Sequence, residues 1–405
     1  MTNHEAATKI VRRLRKEGYE VLFAGGCVRD MLLGRRAKDY DVATDAKPDD
    51  VMGLFKRTLK VGAKFGVVMV LMGTEQVEVA TFRTESGYAD GRHPERVEFA
   101  SAKEDASRRD FTINGMFYDP IEKRVIDYVG GQGDLKSRII RTIGSAQERF
   151  AEDYLRMLRA VRFSTELEFA VERTTWRAVC DYASRINQIS GERISIELEG
   201  ILTSPNRKDG AKMLFESGLA RAMFEGFAGN EAKYGIEVLG QLRKGVDFAL
   251  VLAALFADFG TTDAMEKCRV LKLSRAQQKH LKFLLKERGT LNDTDISLAD
   301  LKLLASEPYF EDLYELQRAI QKAKGESLKQ LSAFKRRVKS LKGRELRPKP
   351  LLNGHQLISL GARPGPMLGV LSREMYIAQL SEEILTVKHA KLWVKLWLER
   401  HGDLE

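Results

Sequence analysis

The chain changes texture once. Up to about residue 140, strand-like runs alternate with short helical ones. From "RIIRTIG" (138–144) onward almost every segment carries helical spacing. In the first part "EVLFAG", "DYDVAT", "FGVVMVLMG", "QVEVATFR" and "RVIDYVGG" read as strands, and "FGVVMVLMG" with "QVEVATFR" implies a hairpin turning at Gly73. "CVRDMLLG" and "PDDVMGLFKR" fall between strands as helices, the latter opening on Pro48, which suits a helix start. Residues 1–18 read as an amphipathic helix with Ile10 and Leu14 on one side. Further on, "AEDYLRMLRAVRF", "TTWRAVCDYASRI" and "ERISIELEGILTS" are helical, separated by Gly144, "TSPN" (203–206) and "GFAGN" (226–230). This pattern predicts an α+β head with a small mixed sheet, followed by an all-α arm. The boundaries fall near 140, 205 and 330.

At 405 residues the chain exceeds one ordinary domain. A net charge of +10 is compatible with a polyanionic partner. The cysteines, Cys27, Cys180 and Cys268, stand far apart in no metal-binding spacing, which fits a reducing compartment and offers neither a disulfide nor a zinc framework. The start of the chain alternates charges with apolar residues and has no signal-type apolar core. The greasiest stretch, "FALVLAALFA" (248–257), is too short to span a bilayer and reads as a buried helix. These features predict a cytoplasmic protein with no membrane association.

Chemistry concentrates in "FAGGCVRDMLLGRRAKDYDVAT" (23–44). Alternation along a strand puts Asp39 and Asp41 on one side. Two carboxylates so close repel unless a cation lies between them, and Mg2+ takes one or two carboxylates together with substrate phosphates. An isolated Asp-x-Asp is usually a pair of solvated acids. Here a strand ends in Gly25-Gly26 and a helix opens, so backbone can approach a ligand closely at a helix start that favours anions. Arg29 adds a fixed cation for phosphate oxygens. The combination points to a nucleoside triphosphate with metal. It is no Walker loop, because the chain has no G-x-x-x-x-G-K-[ST].

"GGCVRDMLLG…DYDVAT", "RRDFTING" and "RFAEDYLRMLRAVRF", in that order, resemble the signatures of the class II tRNA nucleotidyltransferase and poly(A) polymerase family, part of the DNA-polymerase-β-like nucleotidyltransferase superfamily. The resemblance covers the first half of the chain strongly and extends to "LLNGHQLISLGARPGPMLGVL" more weakly. Cys27 and Gly115 stand where the family often has alanine. The resemblance implies a nucleotidyltransferase head over 1–140, a helical neck over 141–205 that selects the nucleotide, a helical body over 206–330 and a helical, tRNA-binding tail over 331–405. It implies Asp39 and Asp41 as catalytic metal ligands, with Glu78 in "QVEVATF" as the candidate third carboxylate. Gly25, Gly26 and Arg29 would then meet phosphate, and Arg109 and Asp110 of "SRRDFTING" the ribose and phosphates. Asp153, Arg156, Arg159 and Arg162 would form the nucleotide pocket.

The residue types of the last motif carry a further argument. If "EDYLRMLRAVR" is one helix, Asp153, Arg156 and Arg159 share a face. A carboxylate only accepts hydrogen bonds and a guanidinium only donates. Cytosine and adenine both present an amino donor beside an acceptor nitrogen, while uracil and guanine present the reverse. Asp153 and Arg156 can therefore act as a protein template for C and A. An Asp-x-x-Arg pair on its own is most often a surface ion pair.

The resemblance thus implies metal-dependent, template-independent addition of C and A from CTP and ATP to the 3′ end of tRNA. The segment 81–97 resembles the family's flexible loop, which favours a terminal A-adding capacity. The chain lacks the Arg-Arg-Phe-Arg run of the bacterial poly(A) polymerase branch. Sister activities remain open: poly(A) polymerase, or an A-adding or CC-adding partner of a split pair. A non-enzymatic RNA-binding protein and a small-molecule nucleotidyltransferase are the rivals from other classes. The basic run 335–349 and "LGARPGPMLG" are candidates for RNA phosphate contacts, although a lysine-rich run is as often a solvated helix face.

Overall fold

The computed structural model describes residues 1–60, 66–86, 96–293, 295–343 and 345–401. The chain forms two compact units. One comprises Met1–Ala232 with Glu266–Leu273, the other Lys233–Met265 with Ser274–Glu405.

The first unit opens with the helix Asn3–Lys16, started by a capping box between Thr2 and Glu5. Its buried Ala6, Ile10, Val11 and Leu14 form the expected apolar side, which packs against the sheet. The strands up to residue 126 are β1 (Val21–Ala24), β2 (Asp41–Thr44), β3 (Thr58–Leu59), β4 (Val67–Met72), β5 (Glu75–Thr81), β6 (Arg83–Ser86), β7 (Arg96–Phe99), β8 (Phe117–Asp119) and β9 (Arg124–Ile126). Seven of them make one mixed sheet in the order β3-β4-β5-β2-β1-β8-β9, and β6 pairs with β7 in a separate ribbon. The expected hairpin is β4–β5, with Gly73 at φ 65° in its turn. Pro48 opens the helix Pro48–Leu54. The core residues Phe23, Val42, Val79 and Phe117 are almost wholly enclosed. The loop reading falls partly on 87–95, outside the described residues, while β6 and β7 flank that span.

Two local expectations change. "AEDYLRMLRAVRF" is not one helix: Ala146–Glu152 ends, Asp153 takes extended backbone (φ −153°, ψ 103°), and a second helix runs Leu155–Leu167. The side chain of Asp153 accepts a hydrogen bond from the N–H of Leu155 at 3.0 Å, and such local bonding by an acid competes with continuous helix. Likewise Asp39 precedes β2 rather than lying within it. The alternation still holds there. Tyr40 packs edge-on against His4 and tilts against Phe23, at 4.8 and 5.3 Å between centroids, and the acids on either side of it are exposed.

The described part of the second unit is helical. "FALVLAALFA" forms the wholly buried helix Phe248–Leu255, and Asp258-Phe259-Gly260 follows its end. Gly235, on the helix Gly229–Gln241, is required by close approach: a Cβ there would meet the carbonyl oxygen of Leu255 at 1.9 Å. A second core near the end of the chain gathers Leu352, Leu357, Leu371, Met375, Val394 and Trp397. Among the described residues no helix is long and apolar enough to cross a membrane.

Candidate active site

Sheet topology brings the first group of residues together. β1 and β2 are antiparallel with Ala24 opposite Asp41, so the end of β1 and the start of β2 coincide. β5 runs parallel to β2 with Val79 opposite Val42, which sets Glu78 beside Asp41. Gly25 follows Ala24 with φ 74° and caps the helix Gly26–Leu32. A Cβ on Gly25 would stand 3.1 Å from Nη1 of Arg109, so glycine here keeps the backbone conformation and the approach of that guanidinium. Asp41 keeps contact with solvent, but its carboxyl is crowded. Burial, then the charge of Glu78 and the smaller push of Asp39, drive it up to about 6 against the lowering pull of Arg109. A carboxyl raised in part by other acids is one that a cation would relieve. With its all-oxygen donors, this trio fits a hard divalent ion.

The arginines are held by a framework of acids and rings. Arg29, nearly buried, donates to Oδ1 of Asn114 at 2.8 Å and pairs with Asp30. Asp110 is buried. Its Oδ1 accepts from the N–H of Phe111 and from Nδ2 of Asn114, and its Oδ2 from Nε of Arg159 at 2.8 Å. Burial alone would raise this carboxyl; the charge and hydrogen bond of Arg159, the hydrogen bond of Asn114 and the charge of Arg156 hold it below its ordinary value. Arg162 donates to Oε2 of Glu197 at 2.6 Å and to Glu166 at 2.9 Å. Phe163 stands amid three guanidiniums, those of Arg29, Arg159 and Arg162, at 5.1, 5.2 and 4.3 Å from its ring centre. Like charges gather there because each has its own acid, and the ring separates them while offering its electron-rich face.

A cleft of about 540 Å³ unites these groups. It is lined by Gly25, Gly26, Arg29, Asp41, Arg108, Arg109, Asp110, Asn114, Asp153, Leu155, Arg156, Arg159, Arg162, Phe163 and Arg193. Ten of the twelve residues singled out from the sequence thus line one space. Asp39 and Glu78 lie outside the lining and join it through their effect on Asp41. Besides Arg108, Leu155 and Phe163 of the lining, four supporting residues were not singled out from the sequence. Asp105 is buried and clamps two arginines at once: Arg108 on Oδ1 at 2.7 Å and Arg109 on Oδ2 at 2.9 Å. Its position three and four residues before them in "EDASRRD" was a usable signal. Asn114 also holds Asp110 four residues before it, but its bond to Arg29, like those of Arg193 and Glu197, spans 35–85 positions and leaves no local signal.

The chain is similar to several known proteins. The sequence model described as "Poly A polymerase head domain" matches residues 21–141, and that described as "Probable RNA and SrmB- binding site of polymerase A" matches 168–230. The CCA-adding enzyme of Geobacillus stearothermophilus is 44% identical over 228 residues, 56% of each chain. That of Lactobacillus delbrueckii subsp. bulgaricus is 36% identical over 299 residues, 72% of this chain and 74% of the relative. The match to the first of these spans little more than half its length. The structure of the Bacillus stearothermophilus CCA-adding enzyme in complex with CTP superposes with a TM-score of 0.82 at 30% identity, over 99% of both chains. The Thermotoga maritima CCA-adding enzyme complexed with tRNA shares the fold, with a TM-score of 0.68 at 21% identity over 97% of this chain and 95% of that one. Fold and cleft define the class: a nucleotidyltransferase-type head continued by a helical arm. Within that class, the chain belongs to the family of CCA-adding enzymes.

Proposed function

We propose that this protein adds C and A from CTP and ATP to the 3′ end of tRNA in the cytoplasm, without a nucleic-acid template. The observation that carries the proposal is that one cleft is lined by the Gly-Gly turn, an acid of the carboxylate trio, the Arg109-Asp110 pair and the Asp153/Arg156 pair. The relatives named above are CCA-adding enzymes, and one of them was solved with CTP.

In this reading Asp39, Asp41 and Glu78 would hold Mg2+, which supplies charge neutralisation to the reacting phosphate when bound. The backbone at Gly25-Gly26, together with Arg29 and Arg109, receives the triphosphate. Asp110, already fixed by Arg159 and Asn114, turns remaining lone pairs to ribose hydroxyls. Arg159 and Arg162 complete the nucleotide pocket. Asp153 and Arg156 read the pairing edge, accepting from the amino group and donating to the ring nitrogen of C or A. The RNA 3′-hydroxyl attacks the α-phosphate, the bond to the β-phosphate breaks, and pyrophosphate leaves. Beyond the head (1–140), the neck (141–205) carries base selection, and the body (206–330) and tail (331–405) bind RNA. The basic run 335–349 and the loop around Arg363 contact its phosphates.

The test is product mass spectrometry with CTP, ATP and Mg2+ on tRNA lacking the whole CCA end, tRNA lacking only the final A, and complete tRNA. The expected products are CCA, A and nothing. Addition of CC alone, of A alone, or of a long A tail would assign the chain to a sister activity.

A further inference from the structure

The two residues proposed to read the base are restrained by different partners. Arg156 donates through Nη1 to Oε2 of Glu152 at 2.5 Å and to the carbonyl of Arg149 at 2.9 Å. Asp153 sits in the break between its two helices, with Oδ1 accepting from the N–H of Leu155. Its Oδ2 accepts from Nη2 of Arg193 at 2.6 Å. Arg193 comes from the first turn of a separate helix, Gly191–Thr203, forty residues further along, and lines the same cleft. That turn is firmly seated: a Cβ at Gly191 would fall 1.8 Å from the carbonyl oxygen of Val270, a packing that only glycine allows.

A carboxylate reads C and A only while it is ionised and correctly aimed. Protonated, it becomes a donor, and the discrimination against a carbonyl at that position is lost. An unrestrained Asp153 could also rotate both oxygens away from the base. The bond from Arg193 prevents that rotation: it is charge-assisted, and with the bond from Leu155 it fixes both oxygens while leaving each a lone pair. We infer that Arg193 is a positioning residue for base choice: through Asp153 it sets the exclusion of UTP and GTP. The inference rests on the proposal that Asp153 reads the base.

The test is steady-state incorporation of CTP, ATP, UTP and GTP by wild type, Arg193→Gln and Arg193→Lys on tRNA lacking the CCA end, with thermal melting of each protein. Losing one charge-assisted hydrogen bond to Asp153 is expected to raise the kcat/KM ratio of UTP to CTP about tenfold in Arg193→Gln. Arg193→Lys, which keeps the charge but not the planar fork, is expected to recover most of the discrimination. An equal fall for all four nucleotides in either variant would mean that Arg193 only braces two helices, and would overturn the inference. If Arg193→Gln does not fold, the lysine variant carries the same comparison, with a ratio expected between wild type and full relaxation. Asp153→Asn separates the two layers. Unchanged selectivity there removes the base-reading proposal itself, whereas relaxed selectivity there with an unmoved ratio in Arg193→Gln removes only the role of Arg193.

Discussion

Each of the two compact units contains a knot of charged side chains, and the two knots differ in one respect. In the first unit Asp41 is crowded by Glu78 and Asp39 and sits above its usual range. In the second, His280 lies between two acids, with Nδ1 3.2 Å from Oδ2 of Asp247 and Nε2 3.3 Å from Oδ2 of Asp312. The ring of Tyr309 stacks on it at 4.0 Å. The first knot has an excess of one sign and opens on a cleft; the second closes over its histidine, although Asp247 stays exposed. These three groups have donor atoms close enough together to suggest a metal site. However, the carboxylates face opposite nitrogens of the ring, so the charge of one imidazolium attracts both from the position an ion would need. With Arg243 3.5 Å from Asp312 as a second cation, the charges of the second knot balance, while the acids of the first stay in excess beside the cleft.

The sharpest way to break that contrast is Asp41→Asn. If the acids serve a cation and a triphosphate, nucleotide incorporation should fall by about 10²–10³-fold or more. Melting should stay level or rise, because the substitution removes like-charge crowding. A loss of stability together with activity would make Asp41 part of the architecture after all.

Next in size is Asp105, whose one carboxylate holds two of the guanidiniums that line the cleft. Its carboxyl is buried, a cost that the charges of Arg109 and Arg108 more than offset, so it stays below its ordinary value. Removing one partner of a buried charge pair typically costs about 3–5 kcal/mol. Asp105→Ala should therefore lower the melting temperature measurably and, by freeing Arg109, weaken nucleotide binding as well. Wild-type melting with only activity lost would show that the pair orients Arg109 without holding the fold.

How far the sequence exposes these features depends on how local they are. The Gly25-Gly26 turn, Pro48 and the β4–β5 hairpin are written in neighbouring residues, and each is where short-range rules put it. Placing Asp41 and Glu78 side by side needs the parallel pairing of β2 with β5, which spacing alone does not state. The break at Asp153 was hidden because apolar periodicity runs straight through it, and one side-chain bond to the N–H of Leu155 overrides that periodicity. Arg193 and Glu197 were invisible for the same reason that they matter: their partners are distant in the chain, and only the packing of the helices Leu155–Leu167 and Gly191–Thr203 brings them together.

The smallest effect belongs to the closed knot and is read as a pH dependence. Burial alone would lower the pKa of His280, but its contact with Asp247 and the charges of Asp247 and Asp312 raise it to about 9. The Nε2 contact is an ion pair without hydrogen-bond geometry. A histidine raised above its unfolded value of about 6.5 binds its proton more tightly when folded, so its contribution is full below that pH and is lost as pH rises through 9. Solvent reaches much of Asp247, the more exposed of the two acids, which reduces the contribution to about 1–2 kcal/mol between neutral pH and pH 10. Lysines and tyrosines also titrate in that interval, so the measurable quantity is the difference between wild type and His280→Asn. The wild-type melting temperature should fall more steeply from pH 7 to 10, and the gap between the two proteins should be widest at neutral pH and close at the alkaline end. A gap that stayed constant would mean that His280 acts through its stacking on Tyr309 rather than through its charge.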